Sequence, residues 1–181
     1  MRPPWSPWRR DTAAPPRDVL DAGGVRSREV MAAAPSGPLW LVATRTRLLL
    51  LAAVGDGEQR TVELLRDVDW VDLDLADWEA EQERLTIVPS DATVAPWTVD
   101  LAATDAKDLL VVVRERLSST MVLERHASLD GRRVTAVGRR RTPADPVQWR
   151  VRYAEGTDPD DPDVRRAAAR LLASAQDEVG G

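Results

Sequence analysis

No cysteine and no phenylalanine occur in this sequence, and it holds a single histidine (His126) and a single lysine (Lys107). Without cysteine there is no disulfide, which suits a reducing compartment. One histidine and no thiol cannot assemble an ordinary zinc site. The usual pairings of nucleophile with base are missing, and no glycine-rich loop is present to cradle phosphates. The longest apolar run, Leu48 to Val54, falls far short of the ~20 residues of a membrane-spanning helix. Near the N-terminus, proline and Asp11 stand where a secretory signal would place its apolar centre. These absences lead to the expectation of a cytoplasmic, non-enzymatic chain with no cofactor, no metal and no membrane partner.

What is present is an ordinary globular composition, 43% hydrophobic and 30% charged over 181 residues, enough for one domain with a small appendage. Seven Trp and one Tyr are the only aromatics, so Leu, Val and Ala must supply most of the core. The net charge of −5 hides an asymmetry. Residues 55–108 hold 15 acids against 4 bases, and residues 121–153 hold eight Arg against three acids. Such blocks bear on association more than on fold.

Residues 1–17 carry five of the thirteen prolines and are expected to form a flexible tail. A helical turn over 17–22 stops at Gly23-Gly24. Strands are predicted over 27–34, 39–45, 46–54 and 59–65, with Pro35 to Pro38 and Gly55 to Gly57 as turns. In 70–76 the alternation of Val71, Leu73 and Leu75 with Asp72 and Asp74 predicts a strand with one wet face. Strands over 85–88 and 94–101 complete the series. Thr104 is the expected N-cap of a helix with its apolar stripe on Ala106, Leu109, Leu110, Val113 and Leu117.

Beyond it, 121–129 and 133–138 pair around Asp130-Gly131, and 147–153 alternates Val147, Trp149, Val151 and Tyr153 with Gln148, Arg150 and Arg152. Asp161 then caps a last helix opened by Pro162 and striped by Val164, Ala168, Leu171, Ala175 and Val179. The boundaries so read are a tail at 1–17, a first domain at 18–118 and an extension at 119–181.

A run of strands closed by one helix, over residues 27–117, resembles the bacterial branch of pleckstrin-homology-like (PH-like) domains. The whole chain resembles an uncharacterised actinobacterial family. The resemblance rests on Trp40-Leu-Val-Ala-Thr44, on Asp77-Trp78 before a charged turn and Leu85, and on Val113-Arg-Glu-Arg-Leu117 running into Val122-Leu-Glu-Arg-His126. Gly156-Thr-Asp-Pro-Asp-Asp-Pro-Asp163 completes it. It implies an α+β fold: a PH-like, partly open β-barrel capped by one helix, followed by a small βββα extension docked on the first domain. It implies no activity. Phosphoinositide-binding PH domains place Lys and Arg in the loop after the first strand, where this chain has Pro35 to Pro38, so no phosphoinositide partner is expected.

Candidate chemistry is sparse. Asp158, Asp160, Asp161 and Asp163 lack the glycine and the glutamate of a calcium loop and fit an acidic helix start. Asp72 and Asp74 are expected on one strand face, as a solvated pair. His126 fits a polar strand face. The arginines are the remaining set. Arg133, Arg139, Arg140, Arg150 and Arg152, with Arg132 and Arg141, are expected to gather on a small sheet whose other face the last helix covers. They point to a protein partner or to self-association. The alternative is a nucleic acid or other polyanion, against which stand an acidic pI near 5.0 and the lack of a recognisable nucleic-acid-binding motif.

Overall fold

A computed structural model describes residues 14–55 and 57–180. Most of the expected tail, residues 1–13 with Trp5 and Trp8, lies outside the described residues, as does Asp56 of the expected hairpin turn. The chain divides into two compact units between Arg116 and Leu117.

In the first unit, α1 (Arg17–Ala22) stops at Gly23, and Gly24 follows in the left-handed region at φ +59°. Strands β1 (Val30–Ser36), β2 (Leu39–Thr44), β3 (Arg47–Val54) and β4 (Thr61–Asp69) form an antiparallel sheet in that order. The strand expected to begin at residue 27 starts only at Val30, because Ser27–Glu29 form a turn of 3-10 helix. Leu48 to Leu51 are all buried, so β3 is covered on both faces, which is why it reads as a continuous apolar run instead of an alternation. On one face Val19, Leu20 and Val25 pack with Ala33, Val42, Leu49 and Leu51.

A second antiparallel sheet follows the chain as β5 (Leu73–Glu79), β6 (Arg84–Pro89) and β7 (Trp97–Asp100). Here the predicted alternation fails. Trp70–Asp72 is a 3-10 turn, begun by Asp69, whose carboxylate accepts the Val71 N–H at 3.1 Å. Trp70 is fully buried and its indole N–H donates to the Thr44 carbonyl at 3.0 Å, which holds this turn against β2. The register then slips between Leu73 and Leu75. As a result Leu75 is 49% exposed, while Asp74, Ala76 and Trp78 are half-buried. Asp72 and Asp74 therefore do not share a strand face.

Helix α2 (Ala103–Thr120) buries Ala106, Leu109 and Val113 as its stripe requires, and Val112 besides; Leu110 and Leu117 are half-buried. Its cap is not Thr104. Glu83, in the β5–β6 turn at φ +51°, accepts the Ala103 N–H on Oε1 at 2.9 Å, and its carbonyl accepts the Leu101 N–H at 2.7 Å. A turn twenty residues upstream thus closes the helix start.

The second unit is a sheet of β8 (Met121–Leu129), β9 (Arg132–Arg139) and β10 (Gln148–Tyr153), with β9 central, and helix α3 (Pro162–Gly180). Asp130 (φ 49°) and Gly131 (φ 80°) make the tight turn that an Asp-Gly pair favours. Asp161 caps α3 as expected: its Oδ1 accepts the N–H groups of Asp163 at 2.8 Å and Val164 at 3.3 Å. Val164 and Ala168 pack on Val134, flanked by Leu129, Val151 and Leu171. Opposite Gly138, the Trp149 ring lies so close that a Cβ there would sit 2.8 Å from it. Glycine is what lets this indole lie across the central strand.

The fold class is thus mixed α+β with three antiparallel sheets and a C-terminal helix. Among the described residues the strands do not hydrogen-bond into a closed barrel.

Candidate functional site

Strand period sorts the side chains of the second unit. Val134 and Val151 pack with α3 and so mark the face toward it; Arg133, Thr135, Val137 and Arg139 of β9 point the other way. Cross-strand pairing adds Ser128, His126 and Glu124 from β8, and Arg152, Arg150 and Gln148 from β10, to that second face. Of the expected arginines, Arg133, Arg139, Arg150 and Arg152 lie on this face in unequal circumstances, whereas Arg132 pairs with the α3 cap and Arg140 and Arg141 follow the end of β9.

Arg139 is only 4% exposed. Its Nη1 donates to the Leu117 carbonyl and to the Thr120 hydroxyl, both at 2.8 Å, so it closes the last turn of α2 and is withdrawn from the surface. Arg152 bonds Glu124 at 2.6 Å; since these residues sit on β10 and β8, the pair bridges the central strand. Arg150 donates to Gln148 at 3.4 Å, and Arg140 to the Pro143 carbonyl at 3.5 Å. Arg133 is exposed, and among the described residues its guanidinium has no partner. His126 Nδ1 lies 3.3 Å from the Thr135 hydroxyl.

Two further arginines of the same segment are tied to α3 and its cap. Arg125 pairs with Glu178, with 3.1 Å from Nε, and Arg132 pairs with Asp161 at 2.6 Å. The Arg132 hydrogen bond, helped by the two backbone N–H groups at the helix start, holds the Asp161 carboxyl below its ordinary range; the same bond raises the Arg132 guanidinium.

Two of the acidic candidates accept from their own backbone, and Asp163 pairs with Arg166. Asp158 accepts the Asp160 N–H at 2.9 Å, and Asp161 is occupied as described. No group of three or more His, Cys, Asp or Glu among the described residues is arranged to hold a metal ion. None of the described helices is long and apolar enough to cross a membrane.

A second constellation escaped the sequence reading. In the first unit a cleft of about 500 Å³ is lined by Gly24, Val25, Arg28, Glu29 and the β2–β3 turn from Thr44 to Arg47. Arg47 is anchored, to Asp67 at 2.5 Å and to the Gly23 and Gly24 carbonyls at 3.2 and 3.4 Å. Glu29 accepts the Arg26 N–H at 2.8 Å. Arg28 and Arg45 are exposed and have no partner among the described residues. The available signal was the excess of base ahead of the acidic block: residues 17–54 hold five Arg against three acids.

No family model matches the sequence, and no curated protein matches it. Among solved structures, the FERM and C-terminal domain complex of Drosophila Merlin matches with 15% identity and a TM-score of 0.36, over 51% of this chain and 32% of that one. The chain thus spans about a third of that neighbour's length. A likeness this distant carries no functional argument.

Proposed function

We propose that the chain is a non-enzymatic protein-interaction module of the cytoplasm, a PH-like core with a βββα extension of the bacterial, actinobacterial type. The element order supports that reading of the core: seven antiparallel strands, β1 to β7, followed by one long helix. It associates by charge complementarity, through the β9–β10 face that carries Arg133 and Arg150 and through the Arg140–Arg141 loop. The partner is an acidic protein surface, in the simplest case the carboxylate-rich segment 55–108 of a second copy.

The observation that carries this reading is Arg133, exposed at one end of the face and without a partner among the described residues. The receiving surface has a counterpart on the first unit: Leu75, Asp77 and Glu79 alternate outward along β5 and are all exposed. A nucleic acid or other polyanion fits less well, because Arg125, Arg132, Arg139 and Arg152 are already bonded within the unit.

Light scattering across a salt series tests it. Screening shortens from ~10 Å at 0.1 M to ~3 Å at 1 M, so a low-salt oligomer should dissociate as salt rises. Replacing Arg133, Arg140 and Arg150 by Gln should abolish the oligomer with the fold unchanged. A chain that stays monomeric throughout refutes self-association. Salt-sensitive retention on heparin without any self-association would move the assignment to a polyanion.

A further inference from the structure

We propose that the cleft between the Gly24–Glu29 segment and the β2–β3 turn binds a small phosphorylated molecule, with Arg28 and Arg45 as its phosphate ligands. Three arginines and one glutamate line this cleft, an excess of two positive charges within a unit whose 55–108 segment holds 15 acids against 4 bases. Arginines usually find carboxylates when any are near. Here Arg47 has done so with Asp67, and it also grips the Gly23 and Gly24 carbonyls, which fixes one wall of the cleft. Arg28 and Arg45 have not, although Glu29 adjoins one of them; its Oε2 is engaged by the Arg26 N–H.

Two guanidinium groups from different segments, held on an anchored frame, suit an anion with several oxygens. Their planar forks match phosphate oxygens in pairs. The volume, about 500 Å³, is that of a small-molecule site and exceeds the need of one inorganic phosphate, so a body beyond the phosphate is accommodated against Val25. The cleft is built from residues of the first unit and the arginine face from residues of the second, so the site stands or falls independently of the association proposed above.

Calorimetric titration of the whole chain with pyrophosphate at low ionic strength tests the site, with citrate as an anion of comparable charge but carboxylate chemistry. The expectation is saturable one-to-one binding of pyrophosphate, at least tenfold weaker in the Arg28→Gln/Arg45→Gln variant and unchanged in the Arg133→Gln/Arg150→Gln variant. Arg28, Arg45 and Arg133 are exposed and Arg150 is half-buried, and circular dichroism checks that each variant is folded. Three results overturn the proposal: no saturable binding of pyrophosphate, equal loss in both variants, or citrate bound as tightly as pyrophosphate.

Discussion

The two units differ in where they leave arginine uncommitted. In the second, Arg125, Arg132 and Arg152 each meet a carboxylate, and Arg139 meets a helix end, so half of the eight arginines in the segment counted as most basic are committed within the unit. In the first, a segment with a smaller excess of base leaves Arg28 and Arg45 beside a cleft without partners among the described residues. The difference follows from register. Pairing β8 with β9 and β9 with β10 places Glu124 within reach of Arg152, and the Asp161 cap sets its second oxygen against Arg132. In the two-residue β2–β3 turn Arg45 is exposed and meets no such neighbour among the described residues. Counted charge therefore says little about available charge until the faces are known.

The sharpest way to break this contrast is to remove the most committed arginine. Arg139→Ala deletes two hydrogen bonds from a buried guanidinium and leaves the Leu117 carbonyl and Thr120 hydroxyl without it; bonds to charged groups contribute ~1.5–3 kcal/mol each, so a loss of roughly 3–6 kcal/mol is expected. Chemical denaturation measures it. Arg133→Gln, one strand face along, should change stability by under ~0.5 kcal/mol, as exposed sites do. Equal effects at the two positions would erase the distinction between committed and available arginines.

A smaller effect is expected at the helix caps, where the units also differ. Asp161 caps α3 from the adjoining residue, whereas Glu83 caps α2 from a distant turn. Glu83→Ala removes that acceptor and should destabilise by about 1 kcal/mol, in the range of lost N-caps. Thr104→Ala, by contrast, should cost little, since Thr104 follows the capped position. If Thr104→Ala has the larger effect, α2 is capped locally after all.

That contrast also marks what the sequence disclosed. Features encoded by neighbouring residues were legible: the Asp130-Gly131 turn, the start of α3 at Asp161-Pro162, and its stripe of Val164, Ala168 and Ala175. Features set by contacts across the chain were not. The outward turn of Leu75 depends on a register slip in β5, after a 3-10 turn that Trp70 ties to Thr44. Burial of Arg139 depends on the end of α2 reaching β9, and the cleft depends on two segments that alternation treats separately. For the candidate site, the shared face of Arg133, Arg139, Arg150 and Arg152 could be read in advance from strand alternation; the turn of Arg132 toward the α3 cap, and which arginines remain available, could not, because those depend on where their partners fall.

The smallest expected effect concerns acid. A carboxylate in each unit is held below its ordinary value of 3.8 by an arginine: Asp100 through its hydrogen bond with Arg84, and Asp161 through Arg132 and two backbone N–H groups. A carboxylate with a lowered folded pKa contributes stability in full above its unfolded value, and that contribution is lost as pH falls through the lower, folded value. Both should therefore add to an acid limb of instability that begins below about pH 4. They differ in what neutral amides would leave behind. Asp161→Asn retains a good N-cap, because asparagine also accepts from the helix N–H groups, but loses the charge that meets Arg132. Asp100→Asn loses the charge opposite Arg84, and no cap depends on it. Thermal melts from pH 7 to pH 3 should show both variants less acid-sensitive than the parent. At neutral pH the two should be nearly as stable as the parent, exposed ion pairs being weak contributors. An Asp161→Asn protein whose melting temperature falls as steeply with acid as the parent's would mean that the Arg132 pair adds nothing to α3 beyond the cap itself.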